Sequence, residues 1–243
     1  MISIYKKELQ SFFGSITGYL VIGIFLTLMG SFMWIFRETS ILEYNYATLD
    51  QLFSMAPMVY LFLIPAITMR SFAEEKQKGT LEFLYTKPLP NYTIVMGKFL
   101  ANYTLVILAL LPTLLYYYSV YQLGSPKGNL DSGAIIGSYI GLIFLSGAFV
   151  AIGLFASSLT DNQIVAFILG AFICFTVHWA FMFVSTLSFW SPNVASVIDN
   201  LGFNAHYSSI SKGALDSRDI IYFLSVIVIF LLATQESIES DKN

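Results

Sequence analysis

The sequence predicts an all-α membrane protein of six transmembrane helices, preceded by an interfacial helix at the N-terminus. Three observations lead there. Of 243 residues, 56% are apolar and only 11% carry a formal charge, against about 45–50% and about 25% in an ordinary soluble domain. The mean hydropathy is +0.71. Six stretches are free of formal charge and long enough, or nearly so, to cross a hydrocarbon core, which takes about 20 mainly apolar residues for roughly 30 Å. The same numbers exclude other classes. High hydrophobicity argues against disorder, one cysteine against a disulfide framework, and a net charge of −3 against binding a polyanion such as nucleic acid. A soluble active site is excluded with them.

Residues Met1 to Ser15 come first. Ile2, Tyr5, Leu9, Phe12 and Phe13 recur at helical spacing, with Ser3, Lys6, Lys7, Gln10 and Ser11 opposite, the pattern of a helix lying in the membrane interface. The spans are then expected at Ile16 to Phe36, Leu52 to Met69, Phe99 to Val120, Gly133 to Ser157, Ile164 to Leu187 and Ile220 to Thr234. The first follows a basic segment, as a secretory signal does. Its apolar run is too long and lacks a small-x-small cleavage site before Arg37, so an uncleaved anchor is expected. The last is short for a bilayer at 1.5 Å per residue.

Lysine and arginine placement sets the orientation. With the N-terminus, the second and fourth connections and the C-terminus in the cytoplasm, Lys6, Lys7, Arg70, Lys76, Lys78, Lys87, Lys98 and Lys242 fall inside. Arg37, Lys127, Lys212 and Arg218 fall outside. The third span then ends outward in Tyr116, Tyr117, Tyr118 and Tyr121, which suit a headgroup belt or, alternatively, stacking on a cargo.

The connection from Arg70 to Lys98 is the most informative. Ser71 to Lys78 are mostly helix formers that can prolong the second span into water, and Gly79 suits the left-handed position that ends a helix. Thr80 fits an N-cap, Glu82 favours the positive end of the next helix, and Pro88 and Pro90 limit it. A short helix from Leu81 to Thr86 is therefore expected, offering Leu81, Phe83, Leu84 and Tyr85 to the cytosol, where four wet apolar residues imply a docking partner. Glu74 and Glu75 as a solvated face, and the basic residues as a lipid contact, are the plainer alternatives.

Here the sequence resembles a known family. The run Glu74-Glu75-Lys76-Gln77-Lys78-Gly79-Thr80-Leu81-Glu82-Phe83-Leu84, then Pro88 and Gly97-Lys98, is similar to the coupling-helix region of ABC-2 type exporter permeases. His206-Tyr207, Lys212-Gly213 and Asp216 to Tyr222, with Ser158 to Gln163, resemble the branch of gliding-motility-associated and copper-processing permeases. Tyr5 to Phe13 look most like the gliding-motility permeases of Bacteroidetes. The resemblance covers nearly the whole chain. It implies a single transmembrane domain over 1–243, with a coupling helix within 70–98 and short re-entrant outer helices within 188–219. It also implies residence in a bacterial inner membrane. Glu74, Glu75, Gly79, Thr80, Leu81, Glu82, Phe83 and Leu84 would couple to two copies of a separate ATP-binding subunit holding ATP and Mg. A homodimer mate or second permease, and an extracytoplasmic accessory subunit, are implied as well. No G-x-x-x-x-G-K-[ST] loop occurs in this chain, as expected of a transport subunit rather than an enzyme. No cofactor, metal or catalytic residue is expected on it.

Within the spans, Gly133, Gly137 and Gly141 form a strip that lets a helix approach closely, within the subunit or across a dimer. Pro57, Pro65 and Pro112 should bend the second and third helices. His178 is a candidate proton relay by position, although no carboxylate or lysine shares the core with it; Cys174 reads as packing. An ion-coupled carrier would show midplane charges and related halves, and an intramembrane hydrolase a second carboxylate or paired histidines. Neither pattern is visible. A scaffold for other membrane proteins is the remaining alternative.

Overall fold

In the computed structural model, which describes residues 1–44, 46–81, 90–213 and 216–240, all regular structure is helical. Among the described residues six helices have the length and composition to cross a membrane: Ile16–Trp34, Asp50–Gln77, Asn91–Leu123, Ser132–Ser158, Gln163–Ser185 and Ser217–Ser240. The fourth is the hub. It packs against the second, third, fifth and sixth and is buried on every side over much of its length, including Leu142, Leu145, Phe149, Ile152 and Leu154. The outer faces of the first, fifth and sixth leave Ile24, Ile168 and Val228 exposed, as bilayer-facing helices do.

Local chemistry explains the irregularities. Pro112 cannot donate a backbone hydrogen bond, and the third span tightens into a 3-10 turn over Leu111–Thr113. Within that turn Thr113 Oγ donates to Leu110 O at 2.6 Å. In the second span, which contains Pro57 and Pro65, the helix Asp50–Thr68 breaks at Met69 and resumes as Arg70–Gln77. The fifth widens to a π-helix over Thr176–Ala180.

Two expected boundaries are corrected. The last span is not short: it runs from Ser217 to Ser240, because Gln235 to Ser240 keep the helix going after the apolar run ends, with Ile238 buried. The third begins at Asn91, placing Lys98 inside the helix. The N-terminal helix Ile2–Phe13 also differs from its expected register. Ile4 and Phe12 are buried with Glu8 between them, while Ile2 is 65% exposed, so the docked face is one turn-step away from the most apolar one. It lies against the third span so closely that a Cβ on Gly97 would sit 2.9 Å from Ile4 Cγ2.

The N-terminal helix and the last turn of the sixth span lie at one end of the bundle: Lys7 pairs with Glu75, and Ser237 Oγ and Lys76 Nζ both donate to Ser158 O. At the opposite end, the segment between the fifth and sixth spans forms helices Pro192–Asp199 and Phe203–Ser211. The second of these buries Phe203, Tyr207 and Ile210 against the fourth span.

Candidate functional site: a charge-locked extension of the second span

The extension Arg70–Gln77 ends as its sequence foretells. Gly79 has φ +66°, Gly79 N–H donates to Lys76 O at 3.0 Å, and Thr80 N–H donates to Glu75 O at 2.9 Å. This pair of bonds is the Schellman closure, which satisfies carbonyls left over at the helix end. Thr80 Oγ also turns back, donating to Glu75 O at 3.3 Å.

Leu81 corrects the exposure expected of it. Its side chain is 4% exposed and belongs to the protein's own core, so it anchors the chain after the turn rather than offering itself to solvent. Glu82, Phe83 and Leu84, with the rest of the expected crosswise helix, lie outside the described residues.

Glu74 and Glu75 face different surroundings. Glu74 takes Arg70 Nε at 2.8 Å and Lys78 Nζ at 2.6 Å, both one turn away on the same helix. These are half-exposed i,i+4 pairs that support the extension by a few tenths of a kcal/mol each. Glu75 is the tertiary one. Its Oε2 stands 2.9 Å from Lys98 Nζ as an ion pair, and its Oε1 accepts from Lys7 at 3.3 Å. Lys98, 1% exposed, also donates to Glu8 Oε1 at 2.9 Å and Ser71 O at 2.7 Å. Two oxygens thus accept N–H bonds from the ammonium and a third stands beside it as a counter-charge, and the two carboxylates with Lys7 and Lys98 leave no net charge. A buried cation is tolerable only when so surrounded.

The result is a clasp between three elements distant in sequence: the N-terminal helix, the extension and the third span. Between them lies a cavity of about 320 Å³ bordered by Lys7, Glu8, Arg70, Glu74, Glu75 and Lys98. Arg70 Nη1 adds a bond to Thr17 Oγ at 3.1 Å on the first span. On the other flank Ser157 Oγ accepts from Phe72 N–H and Ala73 N–H at 3.0 and 3.1 Å and donates to Met69 O at 3.0 Å. The extension is therefore fixed to four neighbours before any partner is considered.

Sequence reasoning singled out Glu74, Glu75, Gly79 and Thr80, had Lys98 only as part of the family resemblance, and missed Glu8, Ser71 and Ser157. The signal was a glutamate at the i+4 position between Ile4 and Phe12 on a helix otherwise presenting lysines to solvent, and a lysine flanked by Gly97 and Phe99. The glycine strip lies within the chain. A Cβ on Gly137 would meet Ile210 O at 2.5 Å, and one on Gly141 would meet the Tyr207 ring at 3.2 Å. Gly133 backs onto Gly213, whose added Cβ would lie 3.4 Å from Gly133 C. Among the described residues no group of three or more His, Cys, Asp or Glu side chains is placed to hold a metal.

Six apolar helices, one of them a buried hub, with a charged extension at one end and short helices closing the other, define a polytopic membrane protein. The family model for ABC-2 family transporter proteins matches residues 36–234, and the chain belongs to that family: it is the membrane-spanning permease subunit of an ABC transporter. A search of the curated proteins finds no match.

Proposed function

We propose that this permease takes its energy from a separate ATP-binding subunit that docks on the segment following Gly79, and that the extension Arg70–Gln77 passes the resulting movement into the bundle. The observation that carries this reading is the anchorage of the extension. It is joined to the N-terminal helix through Glu75 and Lys98, to the first span through Arg70, and to the fourth through Ser157. A part so fixed moves its neighbours when pushed. Since a ligand shifts an equilibrium only by its differential affinity, the ATPase must hold this segment differently before and after closing on ATP. The end bearing the N-terminal helix and the extension is then cytoplasmic, in agreement with the lysine and arginine count, and two copies of the ATPase would serve a pair of permeases in an inner membrane. Glu82, Phe83 and Leu84 would make the contact, with Glu74, Glu75, Gly79, Thr80 and Leu81 shaping it. Export or mechanical work in gliding motility, with an extracytoplasmic accessory subunit, is the setting that the sequence resemblance favours.

The test uses the single buried cysteine, Cys174. With a cysteine introduced as Glu82→Cys, crosslinking in native membranes should capture an ATPase, and ATP should change the yield. Recovery of the permease without any ATPase, crosslinked or copurified, would overturn the docking model.

A further inference from the structure

The helix Phe203–Ser211 covers the end of the bundle opposite the clasp and forms one wall of a cavity of about 710 Å³ there. Its apolar side is buried against the fourth span. A second, polar attachment runs through His206, which stands between the start of the last span and the turn that follows the helix Pro192–Asp199.

Both ring nitrogens of His206 face acceptors. Nε2 lies 2.9 Å from Asn200 O, and a carbonyl can only accept. Nδ1 lies 2.6 Å from Asp219 Oδ1, and an ionised carboxylate can only accept as well. A neutral imidazole has one N–H, which serves one of these contacts and leaves a lone pair facing a lone pair at the other. Both contacts are satisfied only when the pair carries one proton more than a neutral ring beside an ionised carboxylate. An imidazolium with a carboxylate and a neutral ring with a carboxylic acid hold that same proton, which belongs to the pair.

The surroundings make this proton matter. Asp219 is 7% exposed, and its Oδ2 is buried with no hydrogen-bond partner among the described residues. His206 is therefore the group that balances the carboxylate, and an ionised Asp219 without it would be a buried, unpaired charge, which is costly. Tyr222 stacks on the imidazole with centroids 3.9 Å apart, and an aromatic face attracts a cation. The Tyr222 hydroxyl donates to Leu201 O at 2.6 Å, in the same turn as Asn200.

Among the described residues, no other titratable side chain on the elements packed against this helix bonds the ring. Asp216 and Arg218, at the start of the last span, are exposed, and Arg218 N–H donates to Asp216 Oδ1 at 2.9 Å. On the fourth span Asp131 is exposed and Tyr139 OH lies 3.1 Å from Thr113 Oγ. On the π-turn the His178 ring packs edge-on against Trp179 and Phe149. Asp199, preceding Asn200, adds a second carboxylate whose Oδ1 is buried without a partner. On the helix itself Tyr207 OH donates to Phe53 O at 2.7 Å, and Lys212 follows it exposed.

We propose that His206 and Asp219 form a proton-operated latch on the helix Phe203–Ser211, closed while the pair holds the shared proton and released when alkali removes it. A histidine free in water is mostly neutral above about pH 6.5, so opening in that range gives up the proton. Closure therefore binds a proton, is firm at low pH and weakens as pH rises, with an opening equilibrium that grows by up to about tenfold per pH unit. On the orientation proposed above the latch samples the medium on the side away from the ATPase; its action does not depend on that orientation.

The experiment uses the full chain in detergent and follows amide exchange by mass spectrometry, each rate divided by the intrinsic chemical rate at that pH. Protection over residues 203–211 should fall about tenfold or more between about pH 6 and about pH 8.5, while protection over 142–154 in the fourth span holds. In Asp219→Asn a neutral ring can accept from the new amide at Nδ1 and still donate from Nε2 to Asn200 O. Protection over 203–211 should then be lower than in the unsubstituted chain at low pH and should not vary with pH. His206→Gln should lose the pH dependence too. If either variant fails to fold, the unsubstituted chain still decides: protection over 203–211 that ignores pH, or that falls in step with 142–154, would overturn the proposal. So would an equal pH dependence in Asp219→Asn.

Discussion

Lys98 Nζ lies 2.9 Å from Glu8 Oε1, across 90 residues of sequence, and thereby fastens the N-terminal helix to the third span. Because the lysine is 1% exposed, this bond and its companion to Glu75 are made away from water. Lys98→Met should strand two carboxylates beside each other, at a cost of about 3–5 kcal/mol, as for other broken buried pairs. The triple change Glu8→Gln, Glu75→Gln, Lys98→Met should recover most of that loss. Thermal unfolding of the three proteins in one detergent measures both effects.

Gly79 has open space where a Cβ would stand, yet its φ is +66°. Gly79→Ala should therefore cost about 1–2 kcal/mol through backbone strain alone, and Gly79→Asn less, since asparagine tolerates the left-handed region. Amide exchange at Gln77 to Thr80 should quicken in that order, alanine fastest.

The crossing of the second and fourth spans depends on Gly153. A Cβ there would lie 2.1 Å from Thr68 Oγ, a buried hydroxyl already donating to Ile64 O at 2.9 Å. Gly153→Ala should destabilise by about 1–3 kcal/mol, the range for overpacked cores. Gly23→Ala, where nothing lies within 4 Å, should be neutral or slightly stabilising on helix propensity. Melting temperatures measured side by side would separate the two.

His206 holds the outer helix Phe203–Ser211 to the start of the last span. Nδ1 is 2.6 Å from Asp219 Oδ1, Nε2 is 2.9 Å from Asn200 O, and the ring stacks on Tyr222 with centroids 3.9 Å apart. Removing one such bond to a charged group costs about 1.5–3 kcal/mol. His206→Ala should accordingly raise amide exchange across that helix about tenfold or more, while Asp219→Asn should give an intermediate rise. Unchanged protection in both would mean that Phe203, Tyr207 and Ile210 hold the helix unaided.

The spans were legible because a bilayer crossing leaves a long uncharged run, and no competing structure explains six of them. Their ends were less so. Hydropathy stops at Thr234, whereas backbone bonding carries the helix on to Ser240, with Ser237 Oγ donating to Ser158 O at 3.2 Å. Lys98 read as the boundary of a span because charge is expensive in an apolar environment; the two glutamates that make it tolerable come from elements 90 and 23 positions away, and pairing at that separation leaves no periodic trace. The helix stop at Gly79 was legible, being local. The burial of Leu81 was not, since the surface that covers it is assembled from other helices.

Ser157 has a mechanical consequence. At the notch after Met69 the Phe72 and Ala73 amides both reach the Ser157 hydroxyl. The side chain works as a dowel through the notch: bending there would tear three hydrogen bonds at once, so a thrust on the protruding arm travels into the middle rod instead of dissipating at the elbow. One residue further on, Ser158 O is gripped by Lys76 and Ser237 together, which hands the same thrust to the outermost rod.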